Sequence, residues 1–278
     1  MKKILAILLL LPSVFVVSVQ FATLYKDGYV GNKTDLHVLG FPIKVAVYGD
    51  SRYGDSIHRQ IVSLIDQLKP HIVVHLGDMV NSGDNLQDWQ TFFEIVSPLL
   101  EYSFFQPVKG NHEKPDVYYR EYFGRYGLYN YWAQVGDWLF VFLDPDVGVD
   151  RLKKFLKSLD YQGKKVLIFT HYPLFSGGPH GETATVKRLQ VLHETFKEMN
   201  VLAVFSGHDH NYQRIVKDGI TYIVTGGGGS PLYNVRKIEG TIVALRRYHF
   251  VFLELAETLK AKVISRYGEI LDEFEIIP

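Results

Sequence analysis

The sequence predicts an α/β fold, two packed mixed β-sheets flanked by helices, and three observations lead there. From Pro42 to about Phe205, short apolar runs alternate with amphipathic segments of helical period, the pattern of βα repeats. Beyond His208 the helical segments give way to short strands separated by glycine or charged turns. The composition, 47% hydrophobic and 22% charged over 278 residues, is that of an ordinary globular chain. A chain of this length buries roughly 75% of the surface it exposes when unfolded, so a large core needs no staple. A βα half followed by a β-rich half describes mixed sheets with helices on their outer faces.

Residues 1–24 stand apart from the fold. Lys2 and Lys3 precede an apolar run from Ile4 to Leu11, which resumes after Pro12 and Ser13 with Val14 to Val17, the charged-then-apolar order of an export signal. Cleavage residues around Val16, Val17, Ser18 and Gln20 are poor, and the stretch to Leu24 approaches the ~20 residues that span a bilayer. The expectation is a signal peptide or a single-span N-terminal membrane anchor. Either places the remainder outside the cytoplasm, on the outer face of the membrane, in a periplasm or in the extracellular space.

Residues 25–42, with Asp27, Gly28, Gly31 and Asn32, form a polar linker, and 43–278 form one domain. Strands are expected at 44–48, 72–76 and 105–108, each a compact apolar run, with helices at 56–68 and 86–100 between them. Residues 131–143 divide into two strands around Gly136 and Asp137. A helix at 149–159 leads to a strand at 165–169, and a helix at 183–199 to a strand at 201–205. Six strands follow, at 213–216, 220–224, 241–245, 250–255, 262–266 and 270–276.

Charge and composition narrow the functions. Thirty basic groups balance thirty acidic ones, so the chain lacks the cationic excess of a nucleic-acid binder, and no nucleic-acid partner is expected. With no cysteine there is no disulfide framework, thiolate metal site or cysteine nucleophile. No G-x-S-x-G elbow is present, and the run Gly226 to Gly229 lacks the lysine and Ser/Thr of a P-loop.

The strongest signal is positional: polar residues unsuited to a core follow one expected strand after another, where open α/β folds place their ligands. They are Gly49-Asp50-Ser51-Arg52, Gly77-Asp78, Gly110-Asn111-His112-Glu113, His171-Tyr172-Pro173 and Gly207-His208-Asp209-His210. Each interval leaves room for a crossover connection. Two carboxylates, an amide oxygen and three imidazoles (Asp50, Asp78, Asn111, His171, His208 and His210) make an oxygen and nitrogen set suited to Mn, Fe, Zn or Co. Six side chains exceed one tetrahedral shell, and an aspartate can bridge two ions, so two divalent or trivalent metal ions are expected.

These five motifs, in this order over residues 43–230, resemble the calcineurin-like metallophosphoesterase superfamily, which includes the purple acid phosphatases. The stretch His208 to Arg214 and the glycine-rich Thr225 to Tyr233 are similar to the purple-acid-phosphatase branch. The resemblance implies a four-layer sandwich. It also implies a bridging Asp78, a first site completed by Asp50 and His210, and a second completed by Asn111, His171 and His208. Two positions depart from the pattern. Arg52 stands where many members carry a metal-binding histidine, and a guanidinium stays protonated. Asn81 stands where purple acid phosphatases carry their colour-giving tyrosine. A colourless protein is therefore expected, its first metal the more weakly held, with water or Asn81 filling the gap.

The implied reaction is hydrolysis of phosphomonoesters or phosphodiesters by in-line attack of a metal-bridging hydroxide, with His112 as general acid and Arg52 clamping a phosphoryl oxygen. His180 and Tyr172 are candidate substrate contacts, and the substrate is a phosphorylated small molecule or a lipid headgroup. Two alternatives stay open: a hydrolase of phospholipid or nucleotide-sugar headgroups at the membrane, and a non-catalytic metal- or phosphate-binding relative. His71 and His75, on an expected strand, are assigned to structure, and Glu113 receives no role.

Overall fold

The computed structural model describes residues 42–124 and 127–278; the leader at 1–24 and the linker, apart from residue 42, lie outside them. Strands β1 (Ile43–Tyr48), β2 (Ile72–His75) and β3 (Phe104–Pro107) are parallel neighbours, connected through helices α1 (Asp55–Leu68) and α2 (Leu86–Leu100). Asn85 caps α2, its side chain accepting from the N–H groups of Gln87 and Asp88. A short helix α3 (Val117–Tyr122) leads into β4 (Tyr131–Val135) and β5 (Trp138–Leu143). Helix α4 (Val149–Lys157) precedes β6 (Lys165–Thr170), and α5 (Ala184–Leu189) with α6 (Leu192–Glu198) precede β7 (Val201–Ser206). Strands β8 (Tyr212–Lys217), β9 (Ile220–Thr225) and β10 (Thr241–Leu245) follow. The chain then returns to its first sheet with β11 (His249–Leu255), β12 (Leu259–Ser265) and β13 (Ile270–Ile276), β11 pairing antiparallel with β1.

The result is two mixed sheets, a six-stranded one in the order β13-β12-β11-β1-β2-β3 and a seven-stranded one in the order β10-β8-β9-β7-β6-β5-β4. Alternation along the central strands explains their stacking. On β5, Phe140 and Phe142 join the core between the sheets while Leu139, Val141 and Leu143 face the other way, toward Leu152, Leu156 and Phe196 of the helices. Strands β6 and β7 repeat this with Phe169 and Phe205 inward and Ile168 and Val204 outward. The inward rings form a continuous stack: Tyr131 on Phe142 at 4.3 Å, Phe142 on Phe169 at 5.1 Å, and Phe169 on Phe205 at 5.2 Å between centroids. Helices α1 and α2 cover the outside of the first sheet through Ile61, Ile65, Phe92 and Val96.

Two expectations are corrected. The single helix at 183–199 is two helices: the His193 N–H bonds to the Gln190 carbonyl, three residues back, so the chain tightens at Gln190–Val191 before resuming. Helix α3 was not foreseen, because its six residues, Val-Tyr-Tyr-Arg-Glu-Tyr, are too short for helical periodicity to register. Among the described residues, no helix is long and apolar enough to cross a membrane.

Phe169 touches rings on three neighbouring strand positions and is fully buried. Phe169→Ala should lower stability by about 3–5 kcal/mol, measured by denaturant unfolding. A loss below about 1 kcal/mol would contradict the stacked inter-sheet core.

Candidate metal centre

Because β1, β2 and β3 are parallel in one sheet and β6 and β7 are parallel in the other, their C-terminal tips emerge at one edge of the sandwich. The tips are tied across the sheets. The His171 Nδ1–H donates to the Leu76 carbonyl at 2.8 Å, and the His208 N–H donates to both carboxylate oxygens of Asp50 at 3.0 and 3.1 Å. Asp50 N–H donates to Gly77 O at 2.9 Å. Three of the side chains sit on left-handed backbone, Asp50 at φ 59°, Asp78 at φ 55° and His208 at φ 65°. Gly207 precedes His208 where an added Cβ would collide with Asp50 Oδ2, so only glycine fits. The run Gly226 to Gly229 serves the same purpose. It lies against Gly49 and Ser51, with Gly228 N–H donating to Gly49 O at 2.9 Å.

Asp50, Asp78 and His210, all buried, each present a ligand atom within 4.8 Å of the others. On the other side of Asp78, His171 Nε2 lies 3.4 Å from Asp78 Oδ1, 3.0 Å from Asn111 Oδ1 and 3.2 Å from His208 Nδ1. Since a carbonyl can only accept, His171 must donate through Nδ1 to Leu76, which in the neutral ring leaves Nε2 as a lone pair. That lone pair then faces the acceptor oxygens of Asn111 and Asp78. His210 is held likewise, Nδ1–H on Pro231 O at 2.9 Å, with Nε2 3.5 Å from Asp50 Oδ1. In the neutral tautomers acceptors face acceptors, an arrangement that positive charge between them relieves, and this oxygen and nitrogen donor set fits a metal ion.

The electrostatics show a site that attracts positive charge, whether a metal ion or a proton. Burial would raise the Asp78 carboxyl, but His171, His112 and the His112 N–H outweigh it and bring it down to about 2. Burial, with His171 and His180 nearby, pushes His208 down to about 2, keeping it neutral with a free lone pair. At His171 burial opposes protonation, but the Asp78 and Asp50 charges prevail and the ring's proton affinity rises. His210 shows the same balance, its partner being Asp50.

The remaining candidates ring this cluster. Arg52 Nε donates to Asp78 Oδ2 at 3.1 Å, with its guanidinium 5.0 Å from the Tyr53 ring centre. His112 donates its N–H to Asp78 Oδ1 at 3.0 Å and its Nδ1–H to Asn81 O at 2.9 Å, leaving Nε2 4.0 Å from Asp78 Oδ2. The Asn81 side-chain oxygen is buried without a hydrogen-bond partner among the described residues. His180 lies beside His208, ring centroids 4.3 Å apart, with Nδ1 bonded to the buried Asp209 at 2.7 Å. The Tyr172 ring packs against His171 and His208 at 5.1 and 4.6 Å, and burial raises its hydroxyl pKa. His75 is structural in its contacts, bonded to Ser51 Oγ at 3.1 Å and packed on Tyr48.

Two functional residues escaped the sequence reading. Glu113, fully buried, accepts from Asp78 N at 2.9 Å, Gly110 N at 2.6 Å, Met79 N at 2.7 Å and Val80 N at 3.4 Å. It fastens the loop of Asp78 to that of Asn111. Burial and the neighbouring Asp78 charge push its pKa up to about 7. Asp209, also fully buried, holds His180, and its other oxygen accepts from Ser176 Oγ. Asp209 stands between the candidate ligands His208 and His210, and Glu113 follows the candidate acid His112, the one available signal.

Comparison with known proteins places this geometry. The calcineurin-like phosphoesterase family model matches residues 34–212. A probable inactive purple acid phosphatase 24 of Arabidopsis thaliana is 23% identical over 262 residues, 74% of this chain and 43% of that protein. Mouse tartrate-resistant acid phosphatase type 5 is 35% identical over 114 residues, 38% of this chain and 33% of that protein. The chain thus spans less than half the length of these relatives. The purple acid phosphatase PPD1 from yellow lupin seeds superimposes with a TM-score of 0.69 at 20% identity, covering 84% of this chain and 53% of that one. The fold matches that structure, and the family model spans most of the chain, including every strand tip from Asp50 to His210: the protein belongs to the calcineurin-like phosphoesterase family.

Proposed function

We propose that the chain hydrolyses phosphomonoesters or phosphodiesters at this centre. One observation carries the reading: two groups of acceptor atoms, buried Asp50 with His210 and half-buried Asn111 and His208 with buried His171, meet at the shared carboxylate of Asp78. In this reading Asp50, Asp78 and His210 hold one metal ion, and Asp78, Asn111, His171 and His208 a second. Bound ions there supply positive charge against the phosphoryl oxygens and lower the pKa of water towards neutrality.

The chain's own residues do the rest. Asn81 O fixes the Nδ1–H of His112, so a proton on Nε2 is positioned for the leaving oxygen. Arg52 uses Nε on Asp78 and keeps its Nη groups for a phosphoryl oxygen. Asp209 orients His180 so that Nε2 is the nitrogen left for substrate, while Tyr172 walls the crevice beside His208. The substrate is a phosphorylated small molecule or a lipid headgroup, and the leader residues support action outside the cytoplasm.

A second reading, a non-catalytic phosphate-binding relative, is favoured by Arg52 occupying one oxygen of Asp78 and by the "inactive" names of some relatives. A metal-reconstituted assay across a panel of mono- and diesters, with bound metal counted in the same sample, separates the two. Turnover with two ions per chain supports hydrolysis; tight phosphate binding without turnover supports the alternative.

Two substitutions follow. His112→Ala should lose on the order of 10²–10⁴ in rate while elemental analysis finds its metal retained; unchanged turnover would remove His112 from the proton-transfer role. Glu113→Ala leaves buried N–H groups without an acceptor and should cost on the order of 3 kcal/mol together with weakened metal binding, read by denaturant unfolding and metal titration. Wild-type values in both would mean that the Asp78 loop needs no such fastening.

A further inference from the structure

A cleft of about 560 Å³ lies on the outer side of the segment that follows the glycine run, walled by Pro231, Arg246, Arg247, Tyr248, Arg266 and Tyr267. It is one residue from the metal centre, because the carbonyl of Pro231 is the acceptor that orients His210. Three arginines line it. Outside the cleft, Arg52, Arg59 and Arg214 are matched with Asp78, Glu94 and Asp272, while Arg151, Arg188 and Arg236 stand singly without an ion pair among the described residues. Arg246, Arg247 and Arg266 have no ion pair among the described residues, although the chain as a whole is neutral. Glu269 also lines the cleft, one carboxylate among the three arginines, and accepts from Ser265 Oγ at 3.3 Å.

The arginines are also held in place. Arg246 Nε donates to Leu232 O at 3.1 Å and Arg247 Nη1 to Arg246 O at 3.2 Å, which leaves further N–H groups on each. Arg266 lies over two rings, 5.4 Å from the Tyr248 centroid and 4.6 Å from that of Tyr267. Stacked guanidinium groups lose little freedom when they bind, and their fork geometry matches phosphate oxygens. Three cationic groups beside the single carboxylate of Glu269 leave the cleft with an excess of positive charge, and an anion with several oxygens offsets that excess.

We propose that this cleft binds a second phosphate group, separate from the one at the metal centre. Its assignment to the substrate, as a phosphoryl group distant from the scissile bond, rests on the phosphoesterase reading. The preferred substrate class is then a bisphosphate or a phosphodiester with a further terminal phosphate.

Calorimetric titration of inorganic tripolyphosphate into the metal-chelated full chain tests the site without catalysis. Wild type should bind, Arg247→Ala/Arg266→Ala should bind at least about tenfold more weakly, and Arg247→Lys/Arg266→Lys, which keeps the charge, should recover much of the loss. Absence of binding in wild type, or equal binding by wild type and the alanine pair, overturns the proposal. With metal restored, the ratio of kcat/KM for soluble bisphosphates of graded spacer length to that for 4-nitrophenyl phosphate should fall by about tenfold in the alanine pair. An unmoved ratio beside active wild type overturns the substrate assignment. No turnover of any ester, with tripolyphosphate binding intact, instead counts against the phosphoesterase reading and leaves the cleft established as an anion site.

Discussion

The buried meeting of lone pairs around Asp78 is the constraint on which the rest of this molecule depends. Two carboxylates, an amide oxygen and three ring nitrogens converge, with Asp50, Asp78, His171 and His210 buried and Asn111 and His208 half-buried at the crevice. Without positive charge between them, such groups would repel and lose their hydration together. The protein supplies some of that charge itself, through Arg52 on Asp78 and through N–H groups from His112 and His208. These contacts reach only the two carboxylates and leave Asn111 Oδ1 and the ring nitrogens facing one another. The His171 nitrogen, its partner nitrogen committed to Leu76, points at the oxygens of Asn111 and Asp78 and at His208 Nδ1, and a metal ion is a group that all four can bind together.

Holding the acceptors in place has a conformational cost. Left-handed backbone at Asp50, Asp78 and His208 disfavours each by on the order of 1–3 kcal/mol, so the surroundings must over-determine those turns. Parallel pairing of β1 with β2 and of β6 with β7 fixes the strands from which the turns spring, and the aromatic stack between the sheets fixes the sheets to each other. Glu113 then locks one loop to the next through backbone donors alone, a contact independent of the side chains at the positions it grips. Rigid strands, strained tips and a buried carboxylate staple together give the preorganisation that the proposed phosphoryl-transfer centre needs.

Much of this was legible in the chain. The βα alternation located β1 to β3 and β5 to β7 within a residue or two, because buried parallel strands are compact apolar runs bounded by glycine. The strand tips were visible for the same reason, since Gly-Asp, Gly-Asn-His and Gly-His-Asp-His interrupt apolar runs where a core residue would be expected. What stayed hidden depends on tertiary contacts. Glu113 and Asp209 look like loop acids until partners more than twenty residues away surround them, and the break at Gln190–Val191 lies within an otherwise continuous amphipathic pattern. The arginine cleft is assembled from three separate segments, so no local charge run announces it.

Anomalous diffraction from crystals of the full chain grown with manganese or zinc tests the central claim most directly. Two peaks are predicted, one on each side of the Asp78 carboxylate, the first reached by Asp50 and His210 and the second by Asn111, His171 and His208. A single peak away from Asp78, or none with the six side chains unmoved, would contradict the account.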